Sequence, residues 1–247
     1  WAPWLEMPAI DLTAEPLASV RSDPRFAVPD LPLPFPLSEA RATVPGGSDV
    51  RLLVMDPPSD ATGRGAILHI HGGGMVSGDA DFAKLTKPQL ALEHDCVVVS
   101  VDYRLAPEAP FPAPQEDCYA ALQWLARNGD ELQIDPSRIV VFGESAGGGL
   151  AASVALMARD RGGPALAGQV LIYPMLDYRT GGPEDRWANA HTGEFIWTRD
   201  KNRFGWESLR GGYEPSDERK GWFSPSLAED LAGVAPAYIS TGALDLF

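Results

Sequence analysis

An α/β fold with a mostly parallel sheet and helices on both faces is what this chain of 247 residues predicts. Three observations lead there. Short, continuous apolar runs rich in β-branched residues recur along the chain, as strands buried on both faces do. Segments with helical signatures alternate with them, which calls for right-handed crossovers between parallel strands. Two glycine-rich motifs each follow such a run directly, so both turns lie at strand ends.

The elements follow in order. Residues 1–42 hold eight prolines, and Leu31-Pro-Leu-Pro-Phe-Pro36 favours extended polyproline geometry. Trp1, Trp4, Leu5, Met7, Leu12 and Leu17 give this stretch apolar anchors, so it reads as a docked arm or lid. Val50–Met55 and Ala66–Ile70 read as strands on either side of a Pro-Pro-Ser-Asp turn, and Cys96–Val101 as another strand. Pro114 to Asn128 reads as a helix. Proline suits its first position, Glu116 and Asp117 favour the positive end of its dipole, Cys118, Ala121, Leu122 and Leu125 form a stripe, and Asn128-Gly129 stops it. Ile139–Phe142 is a strand, Ala146 to Met157 an Ala-rich buried helix, and Gln169–Tyr173 a strand. Residues 179–223 lose strand periodicity and read as an irregular or helical insertion over the core. Pro236–Thr241 returns to a strand pattern. No internal repeat is present.

Composition excludes more than it selects. The chain is 45% apolar and 22% charged, which places it among ordinary soluble globular proteins large enough to bury a core. A net charge of -14 disfavours nucleic acid or an anionic membrane as partner. No apolar run approaches the ~20 residues a membrane span needs, and no secretory signal is visible. Cys96 and Cys118 are expected as free buried thiols in a cytoplasmic protein. Neither C-x-x-C nor H-E-x-x-H occurs, so no metal site is expected.

The stretch Arg138–Ala152 carries the chemistry. Gly143-Glu144-Ser145-Ala146-Gly147 is a G-x-S-x-G sequence at a strand-to-helix junction, the context in which a serine is forced onto a strained turn with its hydroxyl projecting from the sheet. Strand and helix then nearly touch, so the positions two before and two after must lack a side chain, and both are glycine. Gly147, Gly148 and Gly149 each oppose a helix by roughly 1 kcal/mol relative to Ala, so their presence at a helix start points to close backbone approach. His71-Gly72-Gly73-Gly74 follows the Ala66–Ile70 strand, and three glycines let the backbone turn its N–H groups into a cavity. An acyl-transfer oxyanion hole needs donors of that kind; the Gly73, Gly74 and Ala146 amides are the candidates. A phosphate loop would want G-x-G-x-x-G or Gly-Lys-Ser/Thr spacing, which is absent. His69 and His71 lie in or beside a core strand and are expected to orient loops, and Asp102, Arg104 and Glu108 to form a structural ion-pair network.

In combination, HGGG at 71–74, YRLAPE at 103–108 and GESAGG at 143–148 resemble the hormone-sensitive-lipase family of α/β-hydrolase esterases in order and approximate spacing. The commoner family form of the last motif is GDSAGG, so Glu144 is a mild variation. The resemblance implies an α/β-hydrolase sheet of about eight strands, with cap elements at 1–42 and 179–216 over a core of 43–178 and 217–247. It implies a serine carboxylesterase acting on small acyl esters without a cofactor, with Ser145 as nucleophile. It also implies an acid after the seventh strand, in a D-P-L-x-D-like motif that reads here Thr241-Gly-Ala-Leu-Asp245. Asp245 is the expected acid and Asp177 the lesser alternative. The base should follow Asp245, so the 247 residues are expected to be an incomplete version of a longer protein, lacking a last strand, a histidine and a helix; His191 acting from the cap is the alternative. A homodimer is compatible with this reading. So is a non-catalytic small-molecule-binding protein on the same scaffold, as in the plant gibberellin receptors that resemble the family.

Overall fold

The computed structural model describes residues 17–24, 27–46 and 49–247. Trp1, Trp4, Leu5, Met7 and Leu12 of the expected arm lie outside the described residues. Seven strands form one sheet in the order β1-β2-β4-β3-β5-β6-β7: β1 (Ser38–Ala42), β2 (Val50–Met55), β3 (Arg64–Ile70), β4 (Val97–Asp102), β5 (Ile134–Glu144), β6 (Gly168–Ile172) and β7 (Ala237–Ser240). β1 and β4 each pair antiparallel with β2; β4, β3, β5, β6 and β7 run parallel. The chain moves outward from β3 to β4 on one side, then returns to place β5 on the other side of β3. That reversal opens a crevice at the carboxyl ends of β3 and β5, where open α/β sheets bind ligands. Both glycine motifs sit there.

Both faces of the sheet are covered, as the continuous apolar strands require. Leu52, Leu68, Val99, Ile139 and Val141 pack with Leu122 and Leu125 of α3 (Ala113–Arg127) and Leu150, Val154 and Met157 of α4 (Ala146–Asp160). Leu53, Met55 and Val98, one residue out of phase, face the opposite side. They pack with Ala80 and Ala83 of a 3₁₀ turn (Ala80–Leu85) and Ala91 of α2 (Lys87–His94). The period-two alternation thus survives inside runs whose residues are mostly apolar on both faces.

Three elements were not anticipated. β1 (Ser-Glu-Ala-Arg-Ala) has no apolar alternation because it is an edge strand with one free side; Glu39 pairs across it with Arg51 at 2.7 Å. It lies inside the expected 1–42 arm, so that arm's last five residues belong to the sheet. α2 and the 3₁₀ turn have too few apolar residues for a stripe. β5 is longer than expected at both ends, with a register shift opposite Arg64–Ala66 that accommodates Pro136. Cys96 and Cys118 are both free and buried. Among the described residues no helix is long and apolar enough to cross a membrane.

Residues 179–216 contain one regular helix, α5 (Arg199–Arg210), capped by the Thr198 hydroxyl accepting from the Lys201 N–H. Its buried Trp206 and Leu209 pack with Met75, Val76, Ala146 and Met175, at the carboxyl ends of the strands. Val20 of α1 (Leu17–Arg21) joins the same cluster, as does Phe223 of α6 (Lys220–Phe223).

The expected network among Asp102, Arg104 and Glu108 does not form: each binds a different partner. Asp102 accepts the Ala80 N–H and stands 3.6 Å from Arg51. Glu108 is held by Arg21 at 2.8 Å. Arg104 is held by Asp117 of α3, which is fully buried and accepts the Arg104 main-chain N–H at 2.8 Å and its guanidinium at 2.7 Å. The three do not pair with one another because the chain turns each toward a partner on a different element: Arg51 of β2, Asp117 of α3 and Arg21 near the N-terminus. Because Asp117 closes the post-β4 loop onto α3, Asp117→Ala should lower unfolding free energy by about 2–3 kcal/mol, read from urea denaturation.

Candidate active site

Ser145 sits at φ 57°, ψ −121°, a conformation that L residues rarely adopt. Such strain, on the order of 1–3 kcal/mol, persists only where surroundings over-determine it. Here the Ser145 N–H donates to Ile172 O of β6 at 2.9 Å, and its carbonyl accepts from Gly149 at 3.1 Å and Met175 at 3.0 Å. The flanking glycines are a steric requirement, as expected. A Cβ on Gly143 would stand 2.1 Å from Gly147 O, and one on Gly147 would stand 2.0 Å from Ile70 O. Among the described residues Ser145 Oγ makes no hydrogen bond, so the hydroxyl is free toward the crevice.

The glycine loop faces it. Gly73 and Gly74 adopt φ 115° and 65°. The Gly73 carbonyl is turned inward and accepts from the amides of Val76 and Ser77 and from the Ser77 hydroxyl at 2.9–3.2 Å. The amides of Gly73, Gly74 and Ala146 donate to no carbonyl among the described residues. Ala146 N–H is the first of helix α4 and has no intrahelical acceptor. The loop is backed from behind by the YRLAPE segment: Tyr103 stacks on His71 with ring centroids 4.2 Å apart, its hydroxyl donates to His71 O, and Ala106 N–H donates to Met75 O.

Neither oxyanion-strand histidine is placed as a base. His71 is buried, and that burial holds it down at about 4, so it is neutral, with Nδ1 on Gly72 O at 2.7 Å. His69 is lowered by burial too. Its Nε2–H donates to Glu144 at 2.9 Å, leaving Nδ1 to accept from the Ser100 hydroxyl at 2.9 Å. The second Glu144 oxygen takes the ammonium of Lys87, a residue only 6% exposed. His94 is exposed at the end of α2. His191 is exposed on the 189–193 turn and does not line the cleft.

Asp245 lies in the turn after β7, where its carboxylate accepts the Phe247 N–H at 3.0 Å, and it lines the same cleft as Ser145, Gly73 and Gly74. That cleft, of ≈ 1600 Å³, also reaches Tyr173 and Trp197. Asp177 is committed elsewhere: both its oxygens bind Arg179, and it does not reach the cleft. Trp197 and Lys87 had no signal in the sequence. Trp197 covers the glycine loop so closely that a Cβ on Gly74 would stand 2.0 Å from its ring. Its indole N–H is held by buried Asn202 at 3.1 Å.

Comparison with known proteins agrees with this fold. The family model described as alpha/beta hydrolase fold matches residues 67–247. Esterase LipI of Mycobacterium tuberculosis is 40% identical over 182 residues, 72% of this chain and 55% of LipI. Carboxylic ester hydrolase LipN of the same organism is 38% identical over 88% of this chain and 55% of LipN. Among solved structures, a bacterial heroin esterase superposes with a TM-score of 0.79 at 38% identity, over 85% of this chain and 67% of that one. The chain belongs to the hormone-sensitive-lipase family of α/β-hydrolases. It spans about half the length of the curated relatives it matches.

The three motifs that carried the resemblance to the hormone-sensitive-lipase family thus converge on one crevice, with YRLAPE backing the glycine loop and reaching the crevice through Leu105. The variant position Glu144 has become part of a buried charged chain. Burial alone would raise its carboxyl, but the His69 hydrogen bond and the Lys87 charge hold it at about 2. A carboxyl depressed in the folded state contributes stability above its unfolded value and loses it as pH falls. From 4.5 down to about 2 that contribution, about 3 kcal/mol, should disappear. Acid unfolding followed by circular dichroism should show Glu144→Gln less stable than the parent at neutral pH, the gap closing between pH 4.5 and 2.

Proposed function

We propose that the chain carries the nucleophile and oxyanion hole of a serine carboxylesterase acting on small acyl esters. The observation that carries this reading is a strained Ser145 whose hydroxyl makes no hydrogen bond among the described residues, on the same cleft as Gly73 and Gly74, with the amides of Gly73, Gly74 and Ala146 bound to no carbonyl of those residues. The names of the relatives, esterase and carboxylic ester hydrolase, support the same reaction.

In this reading Ser145 Oγ attacks the ester carbonyl as its proton passes to a base. The carbonyl oxygen gains the negative charge and moves into the hole, where the three amides and the N-terminus of α4 stabilise it. Collapse expels the alcohol, which takes the proton, and leaves an acyl group on Ser145 that water then removes by the same steps. Asp245 orients the basic imidazole and stabilises its charged form. The base is a histidine outside these 247 residues, because His69 spends both ring nitrogens on Ser100 and Glu144, His71 is stacked on Tyr103 with Nδ1 on Gly72 O, and His94 and His191 do not line the cleft. Residues 17–37 and 179–216 act as the cap, closing the crevice through Val20, Trp197 and α5. No cofactor enters the chemistry.

The test uses the full-length protein. It should hydrolyse 4-nitrophenyl acetate, with kcat reduced at least about a thousandfold by Ser145→Ala, and an organophosphate should add its mass to the peptide bearing Ser145. Adduct on another residue, or turnover surviving Ser145→Ala, overturns the assignment. Saturable ligand binding with no turnover of activated esters would point instead to the binding-protein reading.

A further inference from the structure

The mechanism makes no use of the buried polar chain Ser100–His69–Glu144–Lys87, yet its members lie one step from each half of the site. His69 is two residues before the glycine loop. Glu144 immediately precedes Ser145. Lys87 opens α2, on the opposite face of the sheet from α4. All three of His69, Lys87 and Glu144 also border the cleft that holds Ser145.

We propose that Glu144 is a positioning residue, whose single carboxylate ties β3 and α2 to the elbow and so sets the distance between the oxyanion amides and Ser145 Oγ. This rests on the esterase reading. Three observations support it. The two oxygens are divided between two partners, His69 at 2.9 Å and Lys87 at 2.5 Å, so the carboxylate is a bridge between separate elements. Both partners are themselves fixed: His69 Nδ1 by buried Ser100, and the Lys87 ammonium over the Phe142 ring at 4.3 Å from its centroid. Finally, backbone hydrogen bonding does not do this job at the strand ends. β3 and β5 pair only as far as Ile70 with Gly143. The Glu144–His69 bond is the side-chain link that joins the two strands at that end, reaching from the residue before Ser145 back to β3.

Lys87 has a second consequence. A bare carboxylate beside the nucleophile would oppose the negative charge that develops on the ester oxygen. The ammonium cancels that field at its source. Glu144 can therefore act as a strut next to an oxyanion hole without weakening it.

The experiment combines kinetics with hydrogen exchange on the full-length protein. Glu144→Gln should lower kcat for 4-nitrophenyl acetate by about a hundredfold, the scale of a small misplacement of reacting groups, with KM within about twofold. Glu144→Asp, which keeps the charge, should recover most of it. Deuterium uptake by mass spectrometry should rise in the peptide covering residues 71–78 of Glu144→Gln while the central strands stay protected. Because a lone buried Lys87 can unfold the single variant, Lys87→Met/Glu144→Leu is the control. It leaves no buried charge, so it should fold, but without the bridge its kcat should stay low and its loop exchange high. Parental kcat and parental loop exchange in the double variant overturn the proposal while leaving the esterase reading intact. If the parent itself turns over no ester, the esterase reading fails, and the exchange at 71–78 alone decides whether the strut exists.

Discussion

The site depends on one backbone contact. Helix α4 crosses the ends of β3 and β5 so closely that the Cα of Gly147 lies against the carbonyl of Ile70, with no room for a methyl group. This crossing brings the first amide of α4 to the end of the strand that launches the glycine loop. It also forces the turn at Ser145 to be sharp, which is why the serine sits at positive φ. Nucleophile and oxyanion donors therefore face one another because of a packing distance. The strain at Ser145 is sustained by hydrogen bonds from β6 and the segment after it, so the elbow is part of the sheet's own framework.

Electrostatics divides the labour among residues that look alike in the sequence. Four histidines and many carboxylates are available, and burial sorts them. His71 is stacked on Tyr103 and desolvated, which keeps it neutral and fixes the loop it begins. His69 is neutral as well and spends both nitrogens on neighbours. Asp117 is buried with Arg104 and closes a loop. Asp177 is paired with Arg179 within its own turn. Asp245, by contrast, accepts one neighbouring amide among the described residues and lines the crevice, which leaves it capacity for another donor.

The segments over the crevice are held by mixed means. α5 docks through Trp206 and Leu209, and its Gly205 lies so near Gly74 O that a Cβ there would stand 2.7 Å away. α1 is short, and Arg21 supplies much of its anchorage through Glu108 and the carbonyls of Val76 and Ala106. The first contact bears on the glycine loop itself and the second on the residues just after it. The shape of the loop is thus linked to whatever occupies the crevice above it.

The sequence by itself determined the motifs and the class of fold. G-x-S-x-G between an apolar run and an Ala-rich helix has few structural solutions, because only glycine tolerates the approach on both sides of the turn. Short apolar runs bounded by turn residues mark strands buried by the sheet, and six of the seven strands were legible on that ground, though not that Val50–Met55 runs antiparallel to its neighbours. The edge strand at Ser38–Ala42 was not, since a strand exposed on one side need not be apolar. Pairing was also out of reach: Asp102, Arg104 and Glu108 are neighbours in the chain and strangers in space, and nothing near Lys87 in the sequence points to Glu144. Only the tertiary structure decided which charges meet, which histidines are neutral and which aromatic ring lies on Gly74. Those outcomes are set by burial and by distances between segments far apart in the chain, and neither is written in local spacing.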